Sequence, residues 1–332
     1  MDKKAKNILV SILWLALAAV LLLLCLRQVD WKQFGQALRL CRWPWVLVSM
    51  ILGVVVFWLR GSRWQRLLGP IDPEVRPARC FHAYNICMAA NLLIPRSGEI
   101  IRSVWVSRGM EKMSFDKALG TLLAERVWDV VITLGMAAAL LGLLWNRFGS
   151  FFMENVVSAI GGAPVLIAAI AALLVLAALF VWLCYRLSSK GGLWGKVWGF
   201  FRGMGTGLAS FAHMKDGWKF LLETVAIWTI YTLMCWTVLL SLRPVPEFAG
   251  LGMADAFFLM ILGSISSVVP VPGGFGAYHG LVAGALAAVW GMPFSSAMVF
   301  AVLSHESQAL TQAISGGLSY IWDGLVKKNG RI

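Results

Sequence analysis

No charged side chain interrupts the chain between Lys6 and Arg27, and the run from Ile8 to Leu26 is almost wholly Leu, Ala, Val and Ile. At about 1.5 Å of rise per residue, a helix over this run is long enough to cross a hydrocarbon layer about 30 Å thick. A helix that is apolar on every face has to be enclosed on every face, by protein or by lipid. The rest of the sequence favours lipid. Of 332 residues, 59% are hydrophobic and only 14% are charged, too few charged side chains to cover a soluble surface of this size. Seventeen Trp and 18 Phe suit the interfacial belts that amphipathic rings prefer. The Lys-rich start has the charge of a signal peptide, but no small-residue cleavage pattern follows Leu26, so the run is read as a retained first helix.

Hydrophobic runs predict six full spans, over 8–26, 43–59, 118–145, 163–187, 219–242 and 295–322. Two further apolar regions, 79–95 with 97–108 and 251–270 with 275–290, are interrupted by Pro and Gly. Non-helical backbone at membrane depth is tolerated only where protein packs around it or it lines a wet cavity. Each region is therefore expected to form a re-entrant hairpin that enters and leaves by one face. Charge supports that count. With the amino terminus in the cytoplasm and each hairpin crossing nothing, 22 of the 29 Lys and Arg fall on the cytoplasmic side. Such asymmetry is what the positive-inside rule requires, and it puts both termini in the cytoplasm. Had the second region crossed fully, the tail with Lys327 and Lys328 would lie outside.

Two connecting segments are amphipathic. Residues 28–42 place Val29, Phe34, Ala37, Leu38 and Cys41 on one side and charge on the other, as expected of a helix lying in the interface or of a short solvated connector. Residues 193–215 carry Trp194, Trp198 and Phe201 on an apolar side, although their glycines weaken a helix. No polar stretch is long enough for a soluble domain, so residues 1–332 read as a single integral-membrane domain. The formal charge of +13 does not point to nucleic acid, because the basic residues occupy short connections between spans. There they orient the chain and attract anionic headgroups, at about 1 kcal/mol per Lys or Arg. Six scattered cysteines and four dispersed histidines predict neither a metal site nor a cofactor.

The two interruptions match each other. Aligning NLLIPRSGE (91–99) with SSVVPVPGG (266–274) sets Pro95 on Pro270 and Gly98 on Gly273. By the charge count the first hairpin enters from the cytoplasm and the second from outside, the mark of an inverted repeat with halves near 43–145 and 219–322. Proline ends each incoming helix, and Gly98, Gly273, Gly274 and Gly276 are expected to let the backbone reverse. Each outgoing helix then begins with free amide hydrogens and the positive end of its dipole, suited to an anion. Arg96 and Arg102 flank one such start and are candidate phosphate ligands, with an interfacial, snorkelling Arg96 as the plainer reading.

Further ionisable residues lie inside the predicted spans. Glu125, Arg126 and Asp129 occur in LLAERVWDVV, with Glu125 and Asp129 on one helix face. Each costs about 2.5–3.5 kcal/mol on insertion scales, so they are expected to face the bundle interior, in a structural or a functional role. His305 and Glu306 sit in the last span among Ser304, Gln308, Thr311 and Gln312, a polar stripe that either joins helices or lines a cavity. His279 follows the second interruption and is either a proton carrier or a simple hydrogen-bonded histidine.

At NLLIPRSGEIIRSVWV, LLAERVWDVV and PVPGGFGAYHG, and over nearly the whole chain, the sequence resembles the lysylphosphatidylglycerol synthase transmembrane-region family of flippase-like bacterial membrane proteins. The resemblance implies an all-α polytopic fold and, from its best-known members, movement of phospholipid between leaflets. By position, Pro95, Gly98, Glu99, Arg102, Glu125, Arg126, Asp129, Pro272, Gly273, Gly274 and Gly276 match the family pattern. Where His279 stands, many relatives carry glutamate, a departure that bears on ion coupling and headgroup preference. The soluble aminoacyl-transferase domain of the namesake synthases has no counterpart in this sequence, so aminoacylation is not expected.

The preferred expectation is thus a bacterial inner-membrane transporter of a phospholipid or lipid-linked anionic substrate, with no nucleic-acid partner and with a homo-oligomer allowed. The alternatives are a membrane enzyme acting on a lipid or polyprenyl phosphate, and a non-transporting scaffold. Neither Glu125 with Asp129 nor His305 with Glu306 fits a phosphatase or transferase signature.

Overall fold

A computed structural model describes residues 3–154, 158, 163–189, 192–209 and 212–328 of the chain. Among the described residues the regular elements are all helical, and they form two compact units, Met1–Met113 with His213–Ile332, and Ser114–Ala212.

The first unit begins with α1 (Lys3–Leu26), which ends where the apolar run ends. The chain then turns into α2 (Trp31–Arg39), bent 88° from Leu13–Leu26. Asp30 caps α2 by accepting from the amides of Lys32 and Gln33, at 2.9 and 3.2 Å. The helical spacing read over 28–42 is therefore correct. One side of α2 packs on the start of the last helix, where Gln33 donates to Ser296 at 3.4 Å.

Helix α3 (Trp43–Leu68) and helix α9 (Gly217–Ser241) lie antiparallel. Their contacts run in opposite order: the Arg42 amide on the Ser241 carbonyl, Ser49 on the Met234 carbonyl, Arg63 on Thr224, Arg66 on Glu223. The Arg66–Glu223 pair is bidentate, with bonds of 2.7 and 2.8 Å, and Ser62 also donates to Glu223 at 2.7 Å. Planar guanidinium geometry suits such a pair at the end of an apolar helix.

Both interrupted regions form helical hairpins. Helix α4 (Pro77–Leu93) returns as α5 (Ser97–Ser107), and α10 (Met253–Ser266) returns as α11 (Ala277–Trp290). In the first, Arg79 at one end of α4 bonds to the carbonyls of Trp105 and Arg108 at the end of α5. In the second, Gly263 and Phe258 of α10 face Tyr278 and Trp290 of α11 in turn. Helix α12 (Phe294–Lys328) packs against α2, α3, α4, α9 and α11. Small residues permit its close approaches. A methyl at Gly53 would sit 2.3 Å from the Gln308 Oε1, and one at Gly316 would sit 2.3 Å from the Ala89 methyl. Without a hydrophobic force between helices in lipid, such backbone proximity is what lets them pack.

The second unit holds α6 (Phe115–Phe152), broken by non-helical Leu144, α7 (Ala163–Ser188) and α8 (Gly192–Ala209). Glycine did not prevent α8. Aromatic contacts, Phe180 with Phe201 and Tyr185 with Trp198, join it to α7 and offset a weak propensity. Residues 210–211 of the predicted 193–215 segment lie outside the described residues.

Helices thus occupy all six predicted span positions and both hairpins. Three of them, Trp43–Leu68, Phe115–Phe152 and Gly217–Ser241, are long and apolar enough among the described residues to cross a membrane, or four if the bent pair of α1 and α2 is one span. Exposed Leu, Val, Ile and Trp cover their outer faces, as expected where lipid is the solvent.

Candidate functional site

The tips of the two hairpins meet. Arg96, at the turn between α4 and α5, donates from Nη2 to the Ser267 carbonyl at 3.4 Å, just past the end of α10. Gly273 faces Leu92, and a methyl there would come within 3.1 Å of the Leu92 Cδ2.

The first turn is built differently from expectation. Its left-handed residue is Arg96 itself, with φ 61°, and not Gly98. Gly98 is required for closeness: a methyl would stand 2.2 Å from the Cys87 carbonyl oxygen and 2.7 Å from the Cys87 Sγ. Its amide, one of the unsatisfied donors that open a helix, donates to the Asn91 Oδ1 at 2.8 Å. Asn91 also reaches the Glu99 carboxylate at 3.5 Å. The free amides expected at this helix start are thus partly occupied by the chain's own Asn91.

Arg102 does not flank the start of α5 as a presented ligand. It is fully buried, its guanidinium 3.9 Å from the centre of the Trp64 ring and 5.0 Å from that of Tyr84. Stacking on two aromatic faces is a strong setting for a desolvated arginine. Arg63, also fully buried, lies over Phe220 at 5.3 Å and donates to Thr224 at 3.3 Å, while Arg60 donates to the Tyr231 hydroxyl at 3.3 Å. Sequence reasoning missed this cluster. The signal was present: Arg60, Arg63 and Arg66 recur every three residues at the end of an apolar helix, with Trp64 among them.

The second turn carries the left-handed glycines expected of it. Gly273, Gly274 and Gly276 have φ of 58°, 80° and 80°. Pro272 starts a short 3-10 turn, Pro272–Gly274, and α11 follows from Ala277. Gly276 also lies against α1, where a methyl would be 2.5 Å from the Leu21 Cβ.

Around this turn His279, His305 and Glu306 come together. The His279 Nε2 is 3.0 Å from the Glu306 Oε1, and the His305 Nδ1 is 3.1 Å from the same oxygen. The other His305 nitrogen is 2.8 Å from the Gly273 carbonyl, and the Gly276 amide donates to the His279 Nδ1 at 3.4 Å. Phe275 and Tyr278 wall His305, with ring centres 5.1 and 5.0 Å away. The polar stripe of α12 joins helices: Ser304 with Tyr278, Gln308 with Ser49, and Ser319 with Asn85 and His82. Bonds of this kind contribute about 0.6 kcal/mol each in lipid, so the stripe aligns helices more than it stabilises them.

Glu125, Arg126 and Asp129 belong to the other unit. Glu125 is fully buried on α6, Asp129 nearly so, and Arg126 pairs with Asp129 at 4.0 Å along the same helix. Glu125 and Asp129 are shielded, as their cost in lipid demands, whereas the Arg126 side chain stays 38% exposed.

A helical bundle with two interrupted hairpins and arginines enclosed by aromatic rings defines the class: a polytopic membrane protein. The family model described as "Lysylphosphatidylglycerol synthase TM region" matches residues 11–316, and the chain belongs to that family. Neither the curated proteins nor the solved structures returned a match.

Proposed function

We propose that the chain moves a phospholipid or lipid-linked anionic substrate between the leaflets of the bacterial inner membrane. The observation that carries this reading is the contact between hairpin tips, Arg96 on the Ser267 carbonyl and Gly273 against Leu92. Broken helices are tolerated in lipid where protein packs around them or where they line a polar path, and discontinuous helices meeting in this way are the usual substrate site of transporters. Membership of a family described by a lipid synthase's membrane region supports a lipid as the substrate.

In this proposal the hairpins are re-entrant, dip from opposite faces as an inverted repeat, and rock against each other. The reading takes six spans with both termini in the cytoplasm, and the positive-inside count supports it. Arg96, the exposed guanidinium at the junction, meets the anionic headgroup while the acyl chains remain in lipid. Arg102 keeps α3, α4 and α5 together and does not itself bind the headgroup. The helix-joining bonds of α12 favour a second reading, a scaffold without transport.

Reconstitution separates the two. Vesicles containing the protein and a fluorescent anionic phospholipid should show transfer between leaflets above that of empty vesicles. Arg96→Ala should slow it on the order of tenfold, the effect of one lost charge-assisted contact. Transfer no faster than in empty vesicles would favour the scaffold.

A further inference from the structure

The three side chains at the second turn form one hydrogen-bonded array that starts and ends on the same loop. It runs from the Gly276 amide to the His279 Nδ1, from the His279 Nε2 to Glu306, from Glu306 to the His305 Nδ1, and from the His305 Nε2 to the Gly273 carbonyl. Donors and acceptors along it can be counted. An amide donates to the His279 Nδ1, so that ring carries its own proton on Nε2 and gives it to the carboxylate. The His305 Nε2 faces a carbonyl, which only accepts, so that nitrogen must carry a proton. The His305 Nδ1 faces the carboxylate, which also only accepts when ionised. A neutral ring cannot satisfy both neighbours. The array closes only with one further proton between the His305 Nδ1 and the Glu306 Oε1.

We infer that His305 and Glu306 form a binding site for a single proton, and that this proton clasps the tip of the second hairpin to α12. Binding makes no covalent bond beyond N–H or O–H: the proton arrives from water, and it leaves to water. When it leaves, either His305 releases the Gly273 carbonyl to donate to Glu306, or it keeps that carbonyl and repels the carboxylate. The bond to an ionised carboxylate is the stronger of the two, so the first outcome prevails and the Gly273 tie between the hairpin tip and the last helix is lost. The Glu306 side chain is 40% exposed while those of His279 and His305 are 1% and 11%, so the carboxylate is the member the proton can reach.

The charged side chain on the facing hairpin tip, Arg96, is directed at the Ser267 carbonyl, and the neighbours that touch the array are uncharged. Tyr278 of α11 lies beside His305 and is itself bonded to Ser304. Cys25 of α1 approaches the Gly276 carbonyl at 3.9 Å, and α9 contributes the buried thiol of Cys235. From α3 the neighbour of this face of α12 is Ser49, and from α4 the tip is met by Leu92. Among the described residues, the ion-pair partners of these three side chains are one another.

The donor atoms also lie within 4.8 Å of one another, close enough to suggest a metal ion. The Gly276 amide argues against it. A metal on the His279 Nε2 would leave that ring's Nδ1 protonated and facing an N–H donor, whereas histidines that hold metals turn their second nitrogen toward an acceptor.

What the proton does for lipid movement rests on the proposed function; the site itself does not. Its test therefore contains no transport step. The full chain, labelled with 15N-histidine and placed in lipid nanodiscs, is titrated while the ring-nitrogen resonances are followed, with His82→Gln and His213→Gln used to assign them. The His305 ring is expected to carry protons on both nitrogens at low pH and to lose one in a single step as pH rises. In Glu306→Gln no carboxylate competes for the His305 proton, so His305 should keep it on Nε2 facing the Gly273 carbonyl, and the proton step shared with Glu306 should be lost. Hydrogen exchange over residues 266–280 gives the mechanical readout. At high pH it should be about tenfold faster in the unsubstituted chain than in Glu306→Gln at the same pH, and equal at low pH. Should Glu306→Gln fail to fold, the unsubstituted titration decides alone. A His305 ring that stays neutral at every pH, a variant that titrates like the parent, or saturable one-to-one zinc binding would each overturn the inference. A silent leaflet assay with a normal titration would sink only the transport reading.

Discussion

The two hairpin turns align in sequence, proline on proline and glycine on glycine, yet they hold their shape by different means. In the first, a non-glycine residue takes the left-handed conformation, a glycine serves closeness to Cys87, and Asn91 caps the returning helix. In the second, three glycines take positive φ and a side-chain array ties the loop to α12. One turn is therefore set by packing within its own hairpin. The other is set by backbone freedom plus contacts with α1 and α12. A turn of the second kind can be released by changing one proton; a turn of the first kind can be released only by separating two helices. If the hairpins move against each other, the second is the better placed to move and the first to serve as the fixed wall.

The largest stability effect expected from this contrast is at Gly276, where closeness and conformation coincide. Alanine there would put a methyl 2.5 Å from the Leu21 Cβ and 2.7 Å from the Leu22 amide nitrogen, at φ 80°. Overpacking costs about 1–3 kcal/mol and the left-handed conformation about 1–2 more. Gly276→Ala should thus lose about 2–5 kcal/mol in SDS-titrated unfolding of the purified protein. A loss under about 1 kcal/mol would mean that α1 does not press on this turn.

Gly98→Ala comes next. Its φ is ordinary, so only the clash with the Cys87 carbonyl and Sγ acts, and the carbonyl cannot turn aside without parting α4 from α5. A loss of about 1–3 kcal/mol is expected by the same unfolding assay. Pairing Gly98→Ala with Cys87→Ala should leave most of that loss in place, because the nearer atom belongs to the backbone and not to the thiol. Recovery in the double variant would show that the sulfur, and not helix separation, dominates.

The difference between these two glycines explains what could be read from the sequence. Long apolar runs and paired Pro/Gly breaks placed the helices and both hairpins, because a break in hydropathy and a missing amide hydrogen are local properties. The role of Gly98 was not legible: glycine has the same letter whether it serves φ or proximity, and Cys87 is brought beside it only by the hairpin. The packing of Arg102 was not legible for a related reason. Its position near the breaker suggested a ligand, but Trp64 of α3 and Tyr84 of α4 meet it only when three helices pack. Histidine 279 was noticed alone and the pair His305–Glu306 alone. That they form one array depends on α11 landing on α12, which no spacing within either helix announces.

The smallest effect tests the turn that the sequence assigned to the wrong residue. Arg96 is the one non-glycine residue with positive φ among those described. An alanine there keeps the conformational cost of the left-handed region and loses the bond to Ser267, whereas a glycine loses the same bond without that cost. Arg96→Gly should therefore be more stable than Arg96→Ala by about 1 kcal/mol, even though glycine normally loses to alanine by nearly that amount inside a helix. The sign of the difference is the result, and it is insensitive to the lost hydrogen bond because both variants lose it. Alanine more stable than glycine would place Arg96 in the helical region and make α4 and α5 one bent helix. The opposite order would keep them as two helices joined at a fixed corner.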